Sequence, residues 1–197
     1  DALTSVCDAN EELAKQVLNN DYQINNAEVS IDHECTRIIA KRQPAAGDLR
    51  LVMAIVKTIT DLERIGDEAG KIANVTLESL TGEQKLLLSS LDNLGRHVLV
   101  FLQATLDAFT RMDFDAAVKA HKSDDKIDRE YEALMRQLMT YMMEDPRSIP
   151  QVMSVIWSAR ALERIGDRCQ NICEYIIYFV KGKVVRHTTA KDIESLT

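Results

Sequence analysis

Apolar residues along this chain recur with the period of helices. Over 11–42, Ile24, Ile31 and Ile38 repeat every seven positions, and Ala27 and Cys35 fill the same face. Pro44, with Gly47 close behind, ends this first long helix. Asp48 suits the N-cap of a second helix, 49–80, which Thr81-Gly82 breaks. Leu87, Leu91, Leu94, Val98 and Leu102 predict a third over 84–111. Asp113 caps a fourth, 114–144, and Asp145-Pro146 with Pro150 marks the next turn. A fifth helix runs over 151–181 and stops at Gly182. Residues 183–197 mix polar and β-branched side chains without a sustained period.

Within this pattern the hexapeptide Leu-Glu-Arg-Ile-Gly-Asp occurs twice, at 62–67 and 162–167. Such an identity in one short chain signals a duplicated unit. Aligning the copies matches helix 11–42 with 114–144, and 49–80 with 151–181. Helix 84–111 has no full counterpart; residues 1–7 stand where its equivalent would end, the stub of a first helix. The chain does not begin with Met, which fits a missing N-terminal segment. The expected fold is all-α: two pseudo-symmetric three-helix bundles, the first helix largely missing. Residues 1–82 form the first bundle, 83–182 the second, and 183–197 a C-terminal tail.

Each copy of the hexapeptide carries Glu and Asp four residues apart. At about 100° per residue, Leu62, Ile65, Ala69 and Ile72 form an apolar stripe with Glu63 and Asp67 nearly opposite. In the second copy Leu162, Ile165, Cys169 and Ile172 stand against Glu163 and Asp167. The acids therefore face outward or along a groove. Hairpin register brings further acids alongside them. Glu63 and Asp67 fall level with Asp21, Asn25 and Glu28; Glu163 and Asp167 fall close to Asp124, Asp128 and Glu132. Carboxylates at one level repel unless a cation or an Arg intervenes. Oxygen-only ligands suit Mg²⁺, Ca²⁺ or Mn²⁺, and such sites also hold iron. Gly66 and Gly166 sit beside the acids, where a glycine costs about 1 kcal/mol against Ala. Two explanations stand: close approach of a helix or an ion, or tight packing alone, with Arg64 and Arg164 pairing the acids.

Composition narrows the function classes. Gly and Pro are scarce, at 7 and 3 residues, which favours helices over a β sandwich. A net charge of −7 without a Lys/Arg-rich run argues against nucleic acid as a partner. Cys7, Cys35, Cys169 and Cys173 form no Cys-x-x-Cys pair and read as reduced thiols of a cytoplasmic protein. No apolar run is long enough to span a bilayer, so direct membrane insertion is not expected. None of His33, His97, His121 and His187 lies three residues after a Glu, unlike redox di-iron bundles. A Gly-rich phosphate loop and a nucleophile elbow are both missing. Met139, Met142 and Met143 read as core or interface filler.

The duplicated hexapeptide, the Ile38-Ile39-Ala40-Lys41-Arg42-Gln43-Pro44 turn and the run Arg164-Ile165-Gly166-Asp167-Arg168-Cys169-Gln170-Asn171-Ile172 resemble the PhoU family. The resemblance covers essentially the whole chain. It implies two three-helix bundles and acidic motifs on both that bind iron, zinc or other cations, manganese and magnesium among the candidates. Carried over by position, these are Glu63 and Asp67 with Asp21 and Asn25, and Glu163 and Asp167 with Asp124 and Asp128. Asn25 stands where the other half has an acid, so a weaker first site is expected. The resemblance also implies contacts with the sensor histidine kinase PhoR and the phosphate importer ATPase PstB at the inner membrane. The resulting expectation is a non-enzymatic, cytoplasmic negative regulator of the phosphate-starvation response, peripheral to the membrane through its partners. Exposed helical surface suggests a homodimer. The rival class is a metal-dependent phosphoester hydrolase using the clusters as two-metal sites. A helical scaffold whose acids hold no metal is a third reading.

Overall fold

The computed structural model describes residues 1–79 and 85–185. The Thr81-Gly82 break and most of the tail lie outside the described residues. Seven α helices follow one another among them: α1 Ala2–Cys7, α2 Glu11–Arg42, α3 Ala46–Ser79, α4 Lys85–Arg111, α5 Phe114–His121, α6 Asp124–Glu144 and α7 Ile149–Lys181. A single 3₁₀ turn, Pro146–Ser148, precedes α7.

Helix ends follow from local chemistry. Asn10 and Asp113 each accept a 3.0 Å hydrogen bond from the backbone N–H three residues on, starting α2 and α5. Gly182, at φ +68°, closes α7 in the left-handed conformation, its N–H donating to Tyr178 O. Two expected starts move upstream. α3 begins at Ala46, so Asp48 lies in its first turn, where a carboxylate still complements the helix dipole. α7 begins at Ile149, with Pro150 in the first turn, where its missing N–H leaves no bond unmade.

The expected helix 114–144 is two helices. It breaks at Lys122 and Ser123, where Ser123 N donates to Ala120 O at 2.8 Å and α6 restarts at Asp124. Ser followed by two Asp is helix-starting chemistry placed inside an uninterrupted apolar period.

α3 and α7 pack antiparallel along the molecular seam. Asp61 meets Arg168 and Tyr175, Glu68 meets Arg164, and Lys57 Nζ lies 5.5 Å from the Tyr175 ring centre. On α7 the whole expected stripe, Leu162, Ile165, Cys169 and Ile172, is buried. α4 adds Leu91, Leu94, Val98 and Phe101 to the same core. Each such side chain stabilises the fold by about 1.5–3 kcal/mol. The α2 stripe is a correction: Ile24 and Ile31 are exposed, and only Ala14 and Cys35 of α2 are buried. In the second half the 27-residue α4 covers the hairpin; in the first, six-residue α1 occupies the corresponding place. α1 packs tightly, for a Cβ on Gly95 would come within 2.5 Å of Leu3 Cδ1.

All four cysteines are free thiols. Burial pushes the Cys169 and Cys173 thiols far up, so both stay protonated core groups.

Candidate functional site

Two matched faces carry the candidate residues. In the first half α2 lays Asp21 and Ile24 against Gly66 of α3: a Cβ there would lie 3.4 Å from Asp21 Oδ1 and 3.0 Å from Ile24 Cδ1. In the second, Asp124 Oδ1 and Ile127 Cγ2 would each lie 3.4 Å from a Cβ on Gly166. The offset between halves is 100 residues on α3 and α7 (166 − 66) and 103 on the facing arms (124 − 21). The second hairpin thus makes the same face with a connection three residues shorter. Both glycines therefore serve close helix approach, Gly66 the tighter of the two.

The side chains differ in burial. Asp124 is buried, Asp21, Asn25, Glu63 and Glu163 are half-buried, and Asp67, Asp128 and Asp167 are exposed. Asn25 Nδ2 donates to Asp21 Oδ2 at 3.0 Å. Asp21 Oδ1, Asn25 Oδ1, Asp124 Oδ1 and Glu163 Oε2 are buried without a hydrogen-bond partner. Unpaired buried oxygens are costly, and none of the described residues supplies their partner.

Electrostatics ties the acids together. Burial and the charges of Asp128 and Asp167 push the Asp124 carboxyl up to about 7. Burial also raises Asp128, Glu163 and Asp167; Asp167 acts further on Glu163, and Asp128 on Asp167. In the first half burial raises Glu63, helped by Asp67, Glu28 and Asp21. At the second face Arg160 Nη1 donates to Glu163 Oε1 at 2.7 Å, and the charges of Arg164 and Arg168 also act on Asp167. Thr60 holds the equivalent position in the first half, its hydroxyl bonded to Val56 O.

These donors, all oxygen and mutually repelling, fit a hard cation. Among the described residues no three His, Cys, Asp or Glu side chains already stand round a common point. An ion would draw the carboxylates inward from where they lie.

The expected pairing of Arg64 and Arg164 with the motif acids takes another form for Arg164. It reaches across the seam to Glu68, at 3.4 Å. Glu68 also receives Lys71 Nζ at 2.8 Å. Buried Asp61 accepts from Tyr175 Oη at 2.9 Å and Arg168 Nη1 at 3.4 Å. Sequence reasoning passed over this seam network, although a signal existed. The residues flanking the hexapeptide change between copies, Asp61 to Ala161 and Glu68 to Arg168. Acids flanking one copy and Arg flanking the other suit an antiparallel crossing. Two histidines face carboxylates: His97 Nδ1 lies 2.6 Å from Glu130 Oε2, and buried His121 lies 3.9 Å from Glu174.

A duplicated helical hairpin, matched acidic faces and a shared antiparallel seam define an all-α tandem-repeat protein. The PhoU domain model matches residues 1–76 and 91–176, one match in each half, and the chain belongs to the PhoU family. The phosphate-specific transport system accessory protein PhoU of Serratia marcescens is 55% identical over 196 residues, covering 100% of this chain and 81% of the relative. Its counterpart from Escherichia coli strain K12 is 54% identical over the same length and coverage. The crystal structure of PhoU from Pseudomonas aeruginosa superposes with a TM-score of 0.85 at 46% identity, over 93% of this chain and 88% of that one. The phosphate transport system regulatory protein PhoU from Streptococcus pneumoniae gives 0.86 at 33% identity, over 93% and 86%.

Proposed function

We propose that this protein is a negative regulator of the phosphate-starvation response, bridging the phosphate importer and its sensor kinase. It binds the importer ATPase PstB and the sensor histidine kinase PhoR, works as a homodimer, and is not an enzyme. The observation that carries this reading is family membership across both repeats, with relatives named as accessory proteins of phosphate-specific transport. It attaches to the cytoplasmic side of the inner membrane through these partners; no helix among the described residues is long and apolar enough to cross a membrane.

The acidic faces are the cation sites of this regulator. Asp124, Asp128, Glu163 and Asp167 hold one, and Asp21, Asn25, Glu63 and Asp67 the weaker other. Unpaired oxygens on four of the eight side chains support it. All-oxygen donors favour iron, manganese or magnesium over zinc, which prefers nitrogen and sulfur. A bound cation supplies positive charge that lets the buried carboxylates ionise together.

The deciding experiment uses cells whose own regulator is deleted and a promoter induced by phosphate starvation. This protein should silence the promoter in phosphate-rich medium, and should be recovered with PstB and PhoR. Expression that stays high although the protein is abundant and folded would overturn the reading. Turnover of a generic phosphate ester with added Mn²⁺ would favour the hydrolase instead; the regulator is expected to give none.

A further inference from the structure

Duplication left two equivalent grooves along the seam of α3 and α7, and among the described residues the chain enters one. At the hundred-residue offset, Lys57, Glu174 and Tyr175 of the first correspond to Trp157, Asn74 and Val75 of the second. In the first, Val184 and Val185 line the groove and leave about 120 Å³ free; Val185 is only 4% exposed. The second, about 410 Å³, is walled by Val75 and Trp157 with Ala161 buried beneath, and Trp157 is 62% exposed. Lys85 corresponds to Val185 by the same offset, but it begins α4. The chain is helical there, where its counterpart runs along the groove.

The grooves also differ in charge. The entered one has Glu174 in its wall, and its occupant is flanked in sequence by Lys183 and Arg186. The open one has neutral Asn74 at that position and is rimmed by Lys71, Arg160 and Arg164. The carboxylates that pair with these cations lie underneath. Glu68 shows 10% of its side chain against 57% for Lys71, and Glu163 is likewise more covered than Arg160. The rim offered to solvent is cationic, on a chain of net charge −7.

We propose that the open groove beside Trp157 docks an extended segment of a partner protein, a β-branched apolar residue flanked by acidic ones. The apolar side chain seats against Val75, Trp157 and Ala161, as Val185 seats in the equivalent groove. Flanking carboxylates meet the guanidinium groups of Arg160 and Arg164 and the Lys71 ammonium as charge-assisted pairs. A lipid surface suits the site less well, because the apolar floor is recessed between two helices and a membrane calls for a projecting face. Arg160 also pairs with Glu163 of the proposed cation site, whereas Lys71 pairs with Glu68, so the test of the groove is placed on Lys71.

Trp157 is the single tryptophan, so its fluorescence reports on this groove alone. The probe is the end-blocked peptide Gly-Glu-Val-Val-Glu, the charge-inverted form of residues 182–186; the control is the native Gly-Lys-Val-Val-Arg. A saturable blue shift is expected with the acidic peptide, and binding roughly tenfold weaker with the basic one. Lys71→Glu, at an exposed position, should weaken the acidic peptide roughly tenfold with helical circular dichroism unchanged. Equal response to both peptides, or no saturable response up to about 10 mM, overturns the proposal. A shift seen only with phosphatidylglycerol vesicles also overturns it and assigns the patch to lipid.

Discussion

Tyr175 Oη donates a 2.9 Å hydrogen bond to Asp61 Oδ2, joining residues 114 positions apart in sequence. Asp61 is only 3% exposed, so this donor and Arg168 hold a carboxylate away from water. Tyr175→Phe removes one donor and keeps the packing. The expected loss is about 1–2 kcal/mol, read as a lower urea midpoint at unchanged slope. Asp61→Ala leaves both donors without their acceptor and should cost more. Equal stability of Tyr175→Phe and the parent would show that the seam does not depend on this bond.

Asp124 makes the cation-free protein pH-sensitive. Its carboxyl titrates near 3.8 when free and is pushed up to about 7 in the fold. Between those values the folded state binds a proton that the unfolded state has released. Stability is then full at low pH and falls as pH rises toward about 7. Asp124→Asn should flatten that slope in thermal melts of chelator-treated protein. A bound cation reverses the demand, so binding near neutral pH should release protons, measurable by calorimetry in buffers of different ionisation heat.

Glu163→Ala combined with Asp167→Ala should leave the protein folded, because the half-buried and exposed acids contribute little packing and repel each other. Cation binding should fall at the second face and persist at the first, by elemental analysis after equilibrium dialysis. Loss at both faces would mean that the two sites are not independent.

Glycine substitutions separate tight from tolerant helix contacts. Gly166→Ala meets neighbours at 3.4 Å and gains helix propensity, so stability should rise by up to about 1 kcal/mol. Gly66→Ala must shift Ile24 and should be nearly neutral. Gly95→Ala drives a methyl into Leu3 and should cost about 1–3 kcal/mol, loosening α1 toward early proteolysis.

Helices were legible because their ends carry local signals, Asp113 as a cap, Pro44 as a break and Gly182 as a stop, whereas the Asn10 cap was passed over. The break at Lys122 and Ser123 was not, because Val118 and Ile127 keep the apolar period intact on either side. Exposure of Ile24 and Ile31 also escaped prediction, since periodicity shows which face is apolar and not whether anything covers it. At the site, hairpin register brought Asp21 and Asp124 near the motifs, but not the contacts of Asp21 with Gly66 and of Asp124 with Gly166, the latter about one helical turn from the expected level. The seam pairs of Asp61 and Glu68 depend on how two distant helices cross, which no local pattern encodes.

α2 runs unbroken for 32 residues, about 48 Å at the usual rise, whereas its counterpart is jointed at Lys122 and Ser123. Bending concentrates where the ladder of helix hydrogen bonds is interrupted. A push at the far end of α2 therefore travels its length as along a lever and arrives at Asp21. On the other arm the helical hydrogen-bond ladder is interrupted one residue before Asp124, so a push there meets a break in the ladder instead of a continuous helix. Two halves built on the same repeat thus differ in this arm, continuous in one and interrupted in the other.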